Sequence, residues 1–282
     1  MVLILILLVV HTYNINQTFW CPNIEHNDVM EICKKEYLTE DDYLDIFNQT
    51  GVSPYATKKI IEENRMSRLS QLNSMYLKKP KIKQKYLCFP ITSMDYMVNQ
   101  RTPLVNIKNG DILINFDTYT LDWRHGHVGL VVDAENNKVL EHAVIGETSY
   151  LCSLSSWSIQ PKFVVLRFDD EEVVDKVVEY AKSELLDLKY SIFVGVFGNK
   201  DKSKSNDKFS SNCSHIIWQA FKKFDIDLDS NGGNIVTPKD IALSNELKVV
   251  QIYGINTKEY IDRLWRRNTD CTEREGMESQ AH

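Results

Sequence analysis

The chain has 282 residues, 43% hydrophobic and 26% charged, with 33 basic and 39 acidic side chains and a formal net charge of −6. This is globular composition, with enough apolar side chain to bury a sizeable core in one domain or two. The mildly acidic balance argues against nucleic acid as a main partner, since proteins that bind it usually carry a basic excess.

Met1 to Val10 is almost purely aliphatic. The run is too short to span a bilayer, which needs about 20 residues, and it fits the apolar region of a secretory signal peptide, read here as residues 1–13. It has no Lys or Arg before it and no A-x-A-like cleavage site after it, so the alternative is a buried N-terminal strand in a cytoplasmic protein. Export would place the protein outside the cell or in the envelope, where disulfides are permitted. There are six cysteines, at 21, 33, 88, 152, 213 and 271; Cys21 and Cys33, close in sequence and far from the motifs below, are the expected bridge. No C-x-x-C pair occurs, so the usual structural zinc pattern is absent.

Thr39, followed by acidic residues, opens a predicted helix that Gly51 stops. Ser53-Pro54 opens a second, running through Ile60 and Ile61 towards about Tyr76. Lys78–Lys85 is a basic linker; such a run is usually just solvated, the alternative being contact with an anionic envelope polymer or lipid surface. From about 104 the texture changes to strands: 111–114, then His127 to Val132, a turn at Asp133–Asn137, a returning strand from Lys138 to Ala143, and another from Phe163 to Phe168. Glu171 to Leu186 has a helical apolar face, Asn199 to Lys208 is a polar loop, and Ser211 to Phe224 is a helix.

The last helix carries the first chemical signal. Ser211 and Asn212 are good N-caps, so Cys213 falls in the first helical turn. There the unpaired N–H groups and the helix dipole favour a thiolate, and the same N–H groups can stabilise an oxyanion. A nucleophilic Cys needs a base, and His127 opens an apolar strand with Gly129 leaving room beside it. A base needs an orienting partner, and the hairpin returns Glu141 or His142 beside His127, on opposite faces, so only one can serve. Each residue by itself also fits a plain packing role.

The pieces Gly110-Asp111-Ile112-Leu113, Gly126-His127-Val128-Gly129-Leu130-Val131, Val139-Leu140-Glu141-His142-Ala143, Trp157, Val164-Val165-Leu166-Arg167, Asn212-Cys213-Ser214, Trp218-Gln219-Ala220 and Thr237-Pro238-Lys239-Asp240-Ile241 stand in an order that has a precedent. Residues 110–242 resemble the permuted papain-like hydrolases of the YiiX/YaeF type, relatives of NlpC-type cell-wall peptidases and of lecithin retinol acyltransferase. The resemblance implies an α+β fold: a circularly permuted papain-like core with an antiparallel sheet packed on helices, here preceded by a helical N-terminal region. It implies Cys213 as nucleophile, His127 as base and Glu141 as orienting group, with Tyr190 lending its hydroxyl to an oxyanion hole or to substrate, and no metal or cofactor. One departure is His215, where the family commonly has Glu. The domain reading is a helical region and linker over 14–85, a catalytic domain over 100–250 and a C-terminal extension over 251–282.

The expected activity is cysteine hydrolysis of an amide or ester through an acyl-enzyme, on a small peptide, peptidoglycan or lipid substrate. Three rivals stand beside it: a zinc site drawn from His125, His127, His142, Cys213 and His215, a non-catalytic binding module on the same fold, and an acyltransferase acting on lipid, which shares the acyl-enzyme.

Overall fold

Short polar side chains start the N-terminal helices. Asp28 accepts the Met30 N–H at 2.9 Å and opens α1 (Val29–Cys33). Thr39 and Asp42 form a reciprocal capping box at α2 (Glu40–Thr50), which ends at Gly51 in the left-handed conformation, φ 72°. Ser53 caps α3 (Pro54–Glu62). The single helix expected from here to Tyr76 is two: Asn64 turns left-handed, φ 53°, and the Arg65 N–H closes onto the Ile60 carbonyl at 2.9 Å, before α4 (Ser67–Tyr76) begins. Asn tolerates that conformation better than most residues, and the bond back to Ile60 completes a Schellman-type ending.

The computed structural model describes residues 19–264 apart from positions 90, 122, 197 and 203–208. The expected signal peptide, Cys271 and most of the polar loop at 199–208 lie outside the described residues.

The strands are β1 (Ile82–Cys88), β2 (Thr92–Met97), β3 (Ile112–Asn115), β4 (Thr118–Thr120), β5 (Trp123–Arg124), β6 (His127–Asp133), β7 (Lys138–Glu141), β8 (Tyr150–Ser153), β9 (Phe163–Arg167) and β10 (Lys248–Tyr253). They form two antiparallel sheets, one of order β1-β2-β4-β5 and one of order β10-β9-β3-β6-β7-β8. The fold is mixed α+β. From Ile82 on, the stretch expected as a basic linker is strand β1, and β10 runs across the expected boundary at 250.

Strand alternation divides the six-stranded sheet between two cores. Ile112, Ile114, Val128, Leu130, Leu140, Val164 and Leu166 face helices α5 (Glu171–Glu184) and α6 (Cys213–Lys222). Leu113, Val131, Val139, Val165 and Tyr253 face the N-terminal helices. Those helices are tied to the sheet by main chain as well, since Ser53 N–H bonds Val250 and Ile252 N–H bonds Gly51, at 3.0 and 2.8 Å. Among the described residues no helix is long and apolar enough to cross a membrane.

The expected Cys21–Cys33 bridge is not formed, and all five described cysteines are free. The two thiols have different surroundings: Cys33 closes α1 near Asp28 and Tyr43, whereas Cys21 lies near Tyr76 and Tyr253.

Asp111 and Arg167, both in motif pieces, form a bidentate buried pair just before β3 and at the end of β9, with Nε–Oδ1 and Nη2–Oδ2 both 2.7 Å. Burial drives the Asp111 carboxyl above its ordinary range, against the pull of the guanidinium. Removing one partner strands a buried charge, which costs about 3–5 kcal/mol, whereas removing both leaves none. Arg167→Leu should therefore lower the free energy of unfolding by about that amount, and Asp111→Leu added to it should restore a large part, as measured by urea denaturation.

Candidate active site

Asn212 has extended backbone and caps α6, its side-chain oxygen accepting the His215 N–H at 3.0 Å. The cap leaves Cys213 as the first helical residue, where dipole and free N–H groups act on it. Ser214 anchors the turn by donating its hydroxyl to the Val236 carbonyl at 2.7 Å.

His127 opens β6 and shares the strand face of Gly129 and Val131, while α6 packs against the other face. The thiol and imidazole meet at the beginning of the strand, close enough for each to shift the other's titration. Glu141 pairs across from Gly129, so its carboxylate projects on the His127 side of the sheet. Its Oε2 lies 3.5 Å from His127 Nε2. That is a close electrostatic contact rather than a well-formed hydrogen bond, and Nε2 has no other partner.

Trp157 completes this arrangement. Its ring stacks on the imidazole, with centroids 5.6 Å apart and planes 14° from parallel, and its Nε1–H donates to Glu141 Oε1 at 2.6 Å. Tyr150, directly across the β7–β8 ladder from Glu141, donates its hydroxyl to Oε2 at 3.3 Å. Gly129 makes room for the indole, because a Cβ there would lie 2.8 Å from the ring and 2.7 Å from Val139.

The electrostatics follow from burial and pairing. Burial opposes charge on the His127 ring, but the nearby Cys213 and Glu141 and their negative charges outweigh it and carry the imidazole up to about 10. Burial also opposes the Cys213 thiolate, and the imidazolium with the backbone N–H groups of Val128 and Ser214 more than offsets it, so the thiol is lowered. Glu141 is held ionised against its burial by His127, with Cys152 and Trp157 adding hydrogen bonds. Both shifts favour a thiolate and imidazolium as the resting pair.

The other expected residues are also placed. Tyr190 is brought to the site by a parallel bridge to Ser211, and burial, with the Cys213 charge adding to it, pushes its hydroxyl up. His142 is fully buried, its ring edge-on to Tyr190 at 4.9 Å, and neither nitrogen makes a well-formed hydrogen bond. Burial lowers it to about 4, with a backbone contact at Glu147 opposing, so it is neutral at ordinary pH. His215 has both nitrogens engaged: Nε2–H donates to the Lys200 carbonyl and Nδ1 accepts the Ser211 hydroxyl, each at 2.8 Å. His125 bonds Thr120 Oγ1 at 2.9 Å and the Gly126 carbonyl at 2.7 Å. Among the described residues no three His, Cys, Asp or Glu side chains are gathered as a metal site.

Sequence reasoning missed Tyr150 and gave Trp157 no role; the pairing of β7 with β8 that delivers both has no local signal. It also missed Asn115, paired across from His127, whose Oδ1 accepts from Asp117 N–H and Thr118 while its Nδ2 is buried without a partner. No protein-family model, curated protein or solved structure matches the chain.

With the thiol lowered by the imidazolium, Cys213 should react with iodoacetamide at pH 6 much faster than a cysteine in urea-denatured protein. Glu141→Gln removes the charge that sustains the imidazolium, so the alkylation profile of Cys213 should move to higher pH. Trp157→Phe keeps an aromatic ring but not the N–H, and should move it less. Quench-flow labelling with peptide mass spectrometry reads all three.

Proposed function

We propose that the chain is a cysteine hydrolase with a circularly permuted papain-like core, cleaving an amide or ester through an acyl-enzyme on Cys213. The observation that carries this reading is the buried Cys213–His127–Glu141 series, with the thiol lowered and the imidazole raised. The chain order supports the permuted reading: base strand and carboxylate strand come first, and the nucleophile helix follows.

In this mechanism the Cys213 thiolate attacks the carbonyl carbon, and the C=O electron pair moves to oxygen. The N–H groups of Val128 and Ser214, already directed at the sulfur, lie beside the forming oxyanion, and the Tyr190 hydroxyl is a third donor there. The tetrahedral adduct collapses as the C–N or C–O bond breaks, and the leaving group takes the proton from the His127 imidazolium. Now neutral, His127 removes a proton from water, the hydroxide displaces the thiolate, and the acid product departs with the imidazolium restored. Glu141 keeps the imidazole oriented and stabilises its charge throughout, as the acid of a Ser-His-Asp triad does. His142, the residue after β7, is neutral and packs edge-on to Tyr190, so it does not share that role.

The favoured substrate is a cell-wall peptide amide, in line with the resemblance to cell-wall peptidases and with the export expected from the N-terminal run. A lipid amide or ester is the second reading, with acyl transfer to a non-water acceptor as its variant. It is favoured by Ile192, Phe193 and Val196, which follow Tyr190 and are exposed, an apolar lip suited to an acyl chain.

Incubation of the full chain with muropeptides, N-acyl amino acids and phospholipids, beside a Cys213→Ala control, should give a substrate-derived mass on Cys213 and product only with the intact thiol. Glu141→Gln should cost orders of magnitude in turnover and His142→Ala little beyond stability. A Cys213 thiol that labels no faster than a denatured one and never carries an acyl group would leave a binding module instead.

A further inference from the structure

The four-stranded sheet carries a surface that the hydrolase reading does not use. Its two hairpin tips lie side by side, since the Leu121 N–H bonds the Ile91 carbonyl at 2.9 Å and the Ile91 N–H bonds Cys88 at 2.7 Å. Five large apolar side chains stand out from them: Tyr86, Phe89, Ile91, Leu121 and Trp123, with Phe89 76%, Leu121 67% and Trp123 62% exposed. Tyr86 and Phe89 pack edge to face at 5.1 Å. Leu121 holds a left-handed backbone, φ 48°, which is unfavourable for a non-glycine residue and presents an apolar side chain to solvent.

The same segment is basic. Residues 64–94 contain seven Lys and Arg and no Asp or Glu, in a chain whose net charge is −6. Lys78, Lys79, Lys81, Lys83 and Lys85 are exposed, and none is in an ion pair among the described residues. Lysines on an edge strand such as β1 also discourage strand pairing, but that role does not account for aromatic side chains at the tips. Nor does a protein partner suit the set well, because Lys is depleted at protein interfaces. Trp and Tyr beside Lys are what the headgroup layer of a bilayer accepts: amphipathic rings at the boundary and cations against anionic phosphates.

We propose that the paired hairpin tips dock this protein on the surface of an anionic lipid bilayer, with Phe89, Leu121 and Trp123 entering the headgroup boundary and the β1 lysines facing lipid phosphate. The surface is continuous with the site region: Trp123 packs edge-on against His125 at 5.8 Å, and His127 follows two residues on. Docking does not depend on the hydrolase reading and is tested apart from it.

The full chain is mixed with phosphatidylcholine vesicles containing about one-third phosphatidylglycerol, and with phosphatidylcholine alone, each with and without brominated acyl chains. The fluorescence of Trp123 is taken as the difference between wild type and Trp123→Phe, which separates this surface from any binding through Met1 to Val10. Trp123 should be quenched by the anionic brominated vesicles and much less by the neutral ones. Lys83→Glu with Lys85→Glu should weaken that quenching by about tenfold or more in lipid concentration, and Phe89→Ser should weaken it as well. Alkylation of Cys213 should be unchanged in these variants, showing that they fold. Trp123 unquenched, whether or not the chain binds vesicles, or quenching indifferent to both sets of substitutions, overturns the proposal. So does equal affinity for a soluble polyanion such as heparin with no response to Phe89→Ser.

Discussion

The buried carboxylate of Glu141 is the constraint on which the site rests. A carboxylate removed from water is costly unless it is paired and hydrogen bonded. Here the Trp157 and Tyr150 donors and the His127 ring do this together. That negative charge makes a buried imidazolium tolerable, and the imidazolium in turn makes a buried thiolate tolerable at Cys213. Remove the carboxylate and only Cys213 is left to oppose the burial of His127, so the charged ring loses much of its support.

The fold supplies these three groups from separate elements and a single meeting point. The β6–β7 register sets Glu141 on the His127 side of the sheet, and a slip of one residue would present His142 there instead. The cap at Asn212 sets where α6 begins and so which residue meets the first-turn N–H groups. Gly129 gives Trp157 the space to cover the His127–Glu141 contact, which keeps water from screening it.

Much of this was legible locally. The alternation of Val128, Leu130 and Val132, the Asn-Asn turn and the apolar face after Asn212 read correctly because strand and helix periods leave their mark within a few residues. Strand β1 reads as a linker in the sequence because Lys83, Gln84 and Lys85 are all exposed on an edge, so no apolar alternation marks it. Strand β8 is likewise exposed except at Cys152, so no apolar alternation shows Tyr150 and Trp157 reaching Glu141. The break after α3 depends on one Asn adopting a left-handed turn, which a helical apolar pattern running through it hides. The absent Cys21–Cys33 bridge has a similar cause, since proximity in sequence does not bring two side chains to the same neighbours.

The central claim is that Cys213 and His127 rest as an ion pair sustained by Glu141, and the charge on the imidazole can be observed directly. Nitrogen-15 NMR of the His127 ring across pH reads it without substrate or inhibitor. The ring should be doubly protonated at pH 8 and lose its proton only towards about 10, and in Cys213→Ala the loss should come at distinctly lower pH. A His127 ring that is singly protonated at pH 8 in the intact protein would contradict the account.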